Sequence, residues 1–232
     1  MNLLLDLVFP KFCVGCGKFG SYFCPKCVEN ITQTELVCPN CERAGIGGKT
    51  HPLCQRKCGL DGLWSLGIYQ GSLKKAIQKL KYKFVKDLAQ VLVDLMVIYW
   101  AKYSAQFLTE IRKEGVKSWV VVPVPLHSKR QKWRGFNQSA LLGQILAQKL
   151  GLDYQEVLKR VRYTAPQVGM EAWKRKQNIK NAFSLTNPYT LDSKPCVLLV
   201  DDVWTTGSTL KECAYILKKS GAKKVWAITL AR

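Results

Sequence analysis

The sequence predicts an α/β protein, a mostly parallel sheet flanked by helices, behind a small metal-binding module at the N-terminus. Three observations carry this. From Trp119 onward, apolar runs of strand length alternate with stretches of helical periodicity, as in strands joined through crossover helices. Eight of the ten cysteines fall within residues 13–58 as four close pairs. The apolar run Val197–Val200 delivers two adjacent acids to a hydroxyl-rich loop that opens a helix. A chain of 232 residues suits one domain of about 150–170 residues plus a small appendage. A hydrophobic share of 47% excludes a disordered chain.

The module comes first. Its pairs are Cys13/Cys16, Cys24/Cys27, Cys38/Cys41 and Cys54/Cys58, three of them C-x-x-C and the last C-x-x-x-C. Two thiolates across a tight turn form a knuckle, and two knuckles make the four-sulfur site that structural zinc prefers. Gly17, Pro25 and Pro39 suit such turns. A disulfide framework would need an oxidising compartment that nothing else in the sequence indicates. Residues 1–62 are therefore expected to be a double zinc ribbon holding two ions. Whether consecutive or alternate pairs share a metal stays open. Closed sites of this kind brace a fold or contact a partner and offer no position for chemistry. Cys196 and Cys213, in an apolar run and on a helix face, are expected in the core.

Residues 63–232 form the second expected domain. Leu63–Tyr69 reads as a strand. Leu73, Ile77, Leu80 and Phe84 recur at helical spacing, with Lys74, Lys75, Lys79, Lys81 and Lys83 on the other faces. A second helix is expected from about Asp87 to Phe107. Val120–Val122 is a buried strand, and Asn137–Leu150 a helix closed by Gly151. Short strands are expected near Val157 and Phe183, separated by a basic helical stretch over Glu171–Lys180. Val197–Val200 is a strand, Thr209–Ser220 a helix opened by a Thr209/Glu212 capping box, and Val225–Leu230 the last strand.

Charge and hydropathy narrow the functional classes. Thirty-six basic and 16 acidic side chains give a formal net charge of +20, of which residues 63–232 carry +18. That surplus favours polyanionic or phosphorylated partners. The longest uncharged apolar run, Leu95–Ala101, is far shorter than the roughly 18–20 residues of a spanning helix, so membrane insertion is not expected. Met1–Asp6 lacks a basic start and carries an acid within its apolar stretch, unlike a secretory signal, and the expected location is cytoplasmic.

The densest chemical signal is Val197-Leu-Leu-Val-Asp-Asp-Val-Trp-Thr-Thr-Gly-Ser-Thr209. Ligands of open α/β sheets bind at the carboxyl ends of strands. There the backbone N–H groups and hydroxyls of Thr205, Thr206, Gly207, Ser208 and Thr209 can cradle a phosphate. Asp201 and Asp202 suit the vicinal hydroxyls of a ribose, directly or around Mg²⁺.

This run resembles the phosphoribosyl-pyrophosphate motif of type I phosphoribosyltransferases. Further segments, Pro123-Val-Pro-Leu-His127, Arg130, Arg134-Gly-Phe-Asn-Gln138, Arg175-x-x-Asn178 and Ala182-Phe183, together with the cysteine pairs, resemble the ComF family of competence and DNA-uptake proteins. The resemblance implies a type I phosphoribosyltransferase-like fold binding phosphoribosyl pyrophosphate with Mg²⁺. Asp201 and Asp202 would contact the ribose and residues 205–209 the 5′-phosphate. The loop from Val122 to Arg134 would cradle the diphosphate, with Arg134 and Arg130 foremost among Lys129, Arg130, Lys132 and Arg134. In a transferase, Asp201, Asp202 and Arg134 would be the catalytic group. His127 has no partner visible in the sequence.

The resemblance also implies a role in natural transformation, receiving single-stranded DNA beside a helicase-like protein. Trp133 and Trp173, set among basic residues, are candidate stacking rings for such a strand. The alternative is an active phosphoribosyltransferase, a glycosyltransferase of nucleotide or amine metabolism, whose acceptor the sequence does not identify.

Overall fold

The computed structural model describes residues 10–82, 86–103, 105–163, 177–186 and 195–232. The Met1–Asp6 stretch, Lys83, Phe84, Trp173, Arg175 and most of the expected helix over 171–180 lie outside them.

The elements are α1 (Pro25–Glu29), β1 (Gly62–Gly67), α2 (Gly71–Tyr82), α3 (Lys86–Tyr103), α4 (Ala105–Glu114), β2 (Trp119–Pro123), α5 (Ser128–Arg134), α6 (Gln138–Leu150), β3 (Asp153–Tyr154), β4 (Leu158–Arg160), β5 (Phe183–Leu185), β6 (Cys196–Val203), α7 (Ser208–Lys219) and β7 (Lys224–Ala231). The main sheet runs β1-β7-β6-β2-β3 with every pairing parallel. Its central strands are apolar on both faces, as a sheet covered on both sides requires. Val121, Leu198, Val200 and Ile228 pack under α2, α3 and α6, whereas Val120, Val197, Leu199 and Val225 pack under α7. Burying Leu142 and Leu146 of α6 contributes roughly 1.5–3 kcal/mol each.

Three details depart from expectation. The single helix expected over 87–107 is instead two, α3 ending at Tyr103 and α4 running from Ala105 to Glu114. β4 and β5 pair antiparallel as a separate ribbon outside the main sheet. The Thr209/Glu212 capping box does not form: Gly207 is the N-cap, without a side chain to donate or accept, and Glu212 accepts the Asn181 N–H at 2.8 Å instead. Gly151 does close α6 in a left-handed conformation, and Cys196 and Cys213 are fully buried.

The cysteine-bearing segment clasps the outer edge of the sheet at β1, where an uncovered strand would present unpaired backbone groups. Lys49 bridges to Gly62, and the Ile68 N–H reaches Thr32 O at 2.9 Å. Cys13, Val14, Phe23, Cys24 and Cys27 join the apolar cluster beneath α2 and α3. Ser72 Oγ at the start of α2 donates to Cys27 O at 2.9 Å. No described helix is long and apolar enough to cross a membrane.

Candidate functional site

β2 and β6 lie side by side, but the chain leaves β2 for α6 on one face and leaves β6 for α7 on the other. This divergence opens a crevice at their carboxyl ends, where open α/β sheets bind ligands. The cleft has a volume of about 730 Å³, ample for a phosphorylated sugar. Asp201, Asp202, Thr205, Gly207, Ser208, Thr209, Arg130 and Arg134 all line it. Thr206 does not. Its Oγ1 instead lies 2.8 Å from Ser208 Oγ, a hydrogen bond within the loop.

Gly207 lets the loop turn. Its φ is +66°, and a Cβ there would sit 2.2 Å from the Trp204 ring, which is itself buried. The turn aims the start of α7 into the cleft. Helix N-termini present N–H groups and positive potential suited to an anion.

The acid doublet is held by groups that sequence reasoning left unassigned. Ser139 Oγ donates to Asp201 Oδ1 at 2.8 Å, and the Asp202 N–H donates to the same oxygen at 2.9 Å. Gln138 Nε2 donates to Asp202 Oδ2 at 3.1 Å, and Lys81 Nζ lies 3.0 Å from that atom. Asn137 starts α6 by accepting the Ser139 N–H and ties back to Val124 O through Nδ2 at 3.0 Å. The Asn-Gln-Ser run thus aims Gln138 and Ser139 at the two acids. Arg134 Nη1 donates to Gln138 Oε1 at 3.2 Å, so a polar chain runs Lys81–Asp202–Gln138–Arg134 from the doublet to the basic loop. Lys81, grouped in the sequence reading with the lysines of the other faces, lies four residues beyond Ile77 in line with Leu73 and Ile77, whereas Lys74, Lys75 and Lys79 face solvent; that spacing is the signal that would have set it apart.

Electrostatics follow from burial. Desolvation, then the neighbouring Asp202 charge, pushes Asp201 up to about 7 against the Asp202 N–H, Ser139 and Lys81. Burial opposes the charge on Lys81, but Asp202 and Asp201 hold it above its usual value. Each carboxylate keeps acceptor capacity for further hydroxyls, since an ionised carboxylate offers about four lone-pair sites.

The mouth is basic and aromatic. Lys129 and Arg130 stand over the Tyr163 ring at 5.6 and 5.7 Å, and His127 meets its edge at 5.2 Å. His127 Nδ1 also accepts the Lys129 N–H, capping α5. Trp133 lines the cleft and is 71% exposed. Lys132 does not line it.

The cysteines form two groups away from the cleft, each able to hold a metal ion: Cys13, Cys16, Cys24, Cys27 and Cys38, Cys41, His51, Cys54. Sharing is therefore sequential. Cys16 and Cys24 Sγ lie 3.7 Å apart, close to the roughly 3.8 Å edge of a tetrahedron with ~2.3 Å zinc–sulfur bonds. Burial pushes Cys13 and Cys38 up, but backbone N–H groups outweigh it and hold them at about 6 and about 7, whereas burial pushes Cys27 up to about 12 and the Cys41 thiol pushes Cys54 up to about 11. Cys58, expected as the eighth ligand, is not among the second group's side chains, and His51 is there instead.

Comparison with known proteins agrees with this layout. The phosphoribosyl transferase domain family matches residues 137–232. Competence protein F of Haemophilus influenzae is 32% identical over 95% of this chain and 90% of its own length. DNA utilization protein YhgH of Salmonella typhimurium is 34% identical over 90% and 89%. Competence protein ComFC of Streptococcus pneumoniae is 27% identical over 91% and 88%. With near-complete coverage on both sides, a phosphoribosyltransferase-type domain and N-terminal cysteine groups compatible with zinc ribbons, the chain belongs to the ComF family of competence proteins.

Proposed function

We propose that the cleft binds phosphoribosyl pyrophosphate. The observation that carries this is the convergence, in one crevice, of a ribose-sized acid doublet, an anion-seeking loop and arginines. Asp201 and Asp202 accept the ribose hydroxyls, Thr205, Gly207, Ser208 and Thr209 hold the 5′-phosphate, and Arg134 and Arg130 face the diphosphate. Mg²⁺ carried on the diphosphate would add neutralising charge beside the doublet. Calorimetry with the sugar diphosphate and Mg²⁺ tests it: one molecule bound per chain is expected, and no heat above buffer dilution would overturn the reading.

The protein's role, on this reading, is to receive single-stranded DNA in the cytoplasm during natural transformation, beside a helicase-like partner. Support comes from the basic mouth with Trp133 and Tyr163 at its rim, because single-strand binders combine positive charge with stacking rings. Relatives named for competence and DNA utilization point the same way. A filter-binding titration at low salt should show retention of oligonucleotides, and none would dismiss this role.

A second reading is favoured by the polar chain from Asp202 to Arg134. A transferase would use that arginine to neutralise the departing diphosphate while the doublet positions the ribose. Pyrophosphate release across bases and amines separates binding from turnover.

A further inference from the structure

The two cysteine groups are copies of one backbone motif, and the second copy carries a histidine where the first has a cysteine. In the first, the Gly17 N–H returns to Cys13 O at 2.8 Å, the Cys13 N–H reaches Lys18 O at 2.8 Å, and Phe12 bridges to Phe19. In the second, the Glu42 N–H returns to Cys38 O at 2.8 Å, the Cys38 N–H reaches Arg43 O at 2.9 Å, and Val37 bridges to Ala44. Glu42 even adopts φ +59°, the left-handed turn that Gly17 makes at φ +79°. A non-glycine residue there costs about 1–2 kcal/mol, so the turn is held by the fold around it.

The other half of each motif matches as well. Cys24-Pro25-Lys26-Cys27 and His51-Pro52-Leu53-Cys54 each open a short helical turn with proline first and an extended residue before it, at φ −75°, ψ 156° and φ −60°, ψ 147°. The Cys27 N–H bonds to Cys24 O at 2.9 Å, and the Cys54 N–H to His51 O at 2.8 Å. The backbone N–H groups of Gly15, Cys16 and Cys24 point at the Cys13 sulfur. Those of Asn40, Cys41 and His51 point at the Cys38 sulfur in the same order. Position by position, His51 stands where Cys24 stands.

Its ring is oriented for ligation. Nε2 lies 2.8 Å from Ala44 O, a bond that places the proton on Nε2 and leaves Nδ1 as the free lone pair. Nδ1 faces Cys41 Sγ at 3.3 Å, near the roughly 3.5 Å that zinc–nitrogen and zinc–sulfur bonds subtend at a tetrahedral angle. We infer that the second site binds zinc through Cys38, Cys41, His51 and Cys54, one imidazole with three thiolates, and that Cys58 is not a ligand.

The test uses full-length protein, metal analysis and cobalt(II) substitution, whose visible bands move to longer wavelength as thiolate replaces imidazole. Wild type should hold two equivalents. Cys58→Ser should keep both with an unchanged cobalt spectrum. His51→Cys should also keep both, with the bands moved toward those of a four-sulfur site, and His51→Ala should lose one equivalent. A Cys58→Ser protein that binds only one equivalent, or a His51→Cys protein whose cobalt bands do not move, overturns the assignment. These two variants preserve the ligand count, so the outcome stands even if His51→Ala fails to fold. The result is independent of ligand binding in the cleft.

Discussion

Replacing Lys81 with methionine removes an ammonium group 3.0 Å from Asp202 Oδ2 while keeping most of the aliphatic stem. Unit charges at that distance attract by ~5 kcal/mol at an effective dielectric of about 20. The net effect is smaller, because Gln138 still donates to the same oxygen and the Lys81 side chain retains 23% exposure. Leaving a buried charge without its partner costs about 3 kcal/mol, at the lower end of such cases. For a chain of this size that corresponds to a melting temperature lower by roughly 6–12 °C. The loss has a defined pH dependence. Asp201 titrates at about 7, so the doublet carries its full charge only above neutrality, where the absence of Lys81 is felt most. As pH falls toward about 5 the doublet takes up a proton and the deficit shrinks. Unfolding of Lys81→Met, Asp202→Asn and the double variant across this range measures the coupling. The double variant should cost about 2 kcal/mol less than the sum of the singles. Strictly additive costs, or a pH-independent loss, would refute the reasoning.

Further outcomes follow from other parts of the molecule. Gly207→Ala forces a side chain into a left-handed turn 2.2 Å from the Trp204 ring, and should cost at least about 2 kcal/mol and weaken sugar-phosphate binding, read by unfolding and calorimetry; unchanged values would contradict the loop's role. Because its folded pKa is raised to about 7 from an ordinary 3.8, Asp201 lowers stability progressively from about pH 4 to about pH 7 and fully above that. Ribose hydroxyls need the ionised form, so affinity should rise with pH through about 7, and Asp201→Asn should flatten that rise in calorimetry. Structural zinc supplies about 10–16 kcal/mol, so chelation or Cys13→Ser should unfold the segment at the β1 edge and expose it to protease; resistance unchanged from wild type would contradict a structural role for the metal. Neutralising Lys129 and Arg130 should lower the salt dependence of single-stranded oligonucleotide binding by a slope of about 1.4; an unchanged slope would remove the mouth from the DNA path.

What could be read from the sequence was local. Val197–Thr209 sets strand, acids, loop and helix within thirteen residues, so its geometry is dictated by neighbours in the chain, and the fold places all but Thr206 of its expected contacts in one cleft. The residues that hold the acids come from 62 and more positions away. Gln138 and Ser139 read as the start of a helix, and Lys81 as one of five lysines on an amphipathic helix, because only the docking of α2 and α6 against β6 decides which polar groups meet the doublet. Glu212 satisfied a capping pattern three residues after Thr209, yet the backbone of Asn181 claimed its carboxylate. Cysteine spacing alone points to Cys58 rather than His51, because Cys54 and Cys58 form a fourth close pair. The parallel between Cys-Pro-x-Cys and His-Pro-x-Cys was present in the sequence as an internal repeat.

The most direct measurement is a crystal structure of the protein soaked with phosphoribosyl pyrophosphate and Mg²⁺. The account predicts ribose hydroxyls within hydrogen-bond distance of Asp201 and Asp202, with the 5′-phosphate seated on the backbone of residues 205–209. A doublet contacted only by Lys81, Gln138 and Ser139, with the compound absent or bound elsewhere, would contradict it.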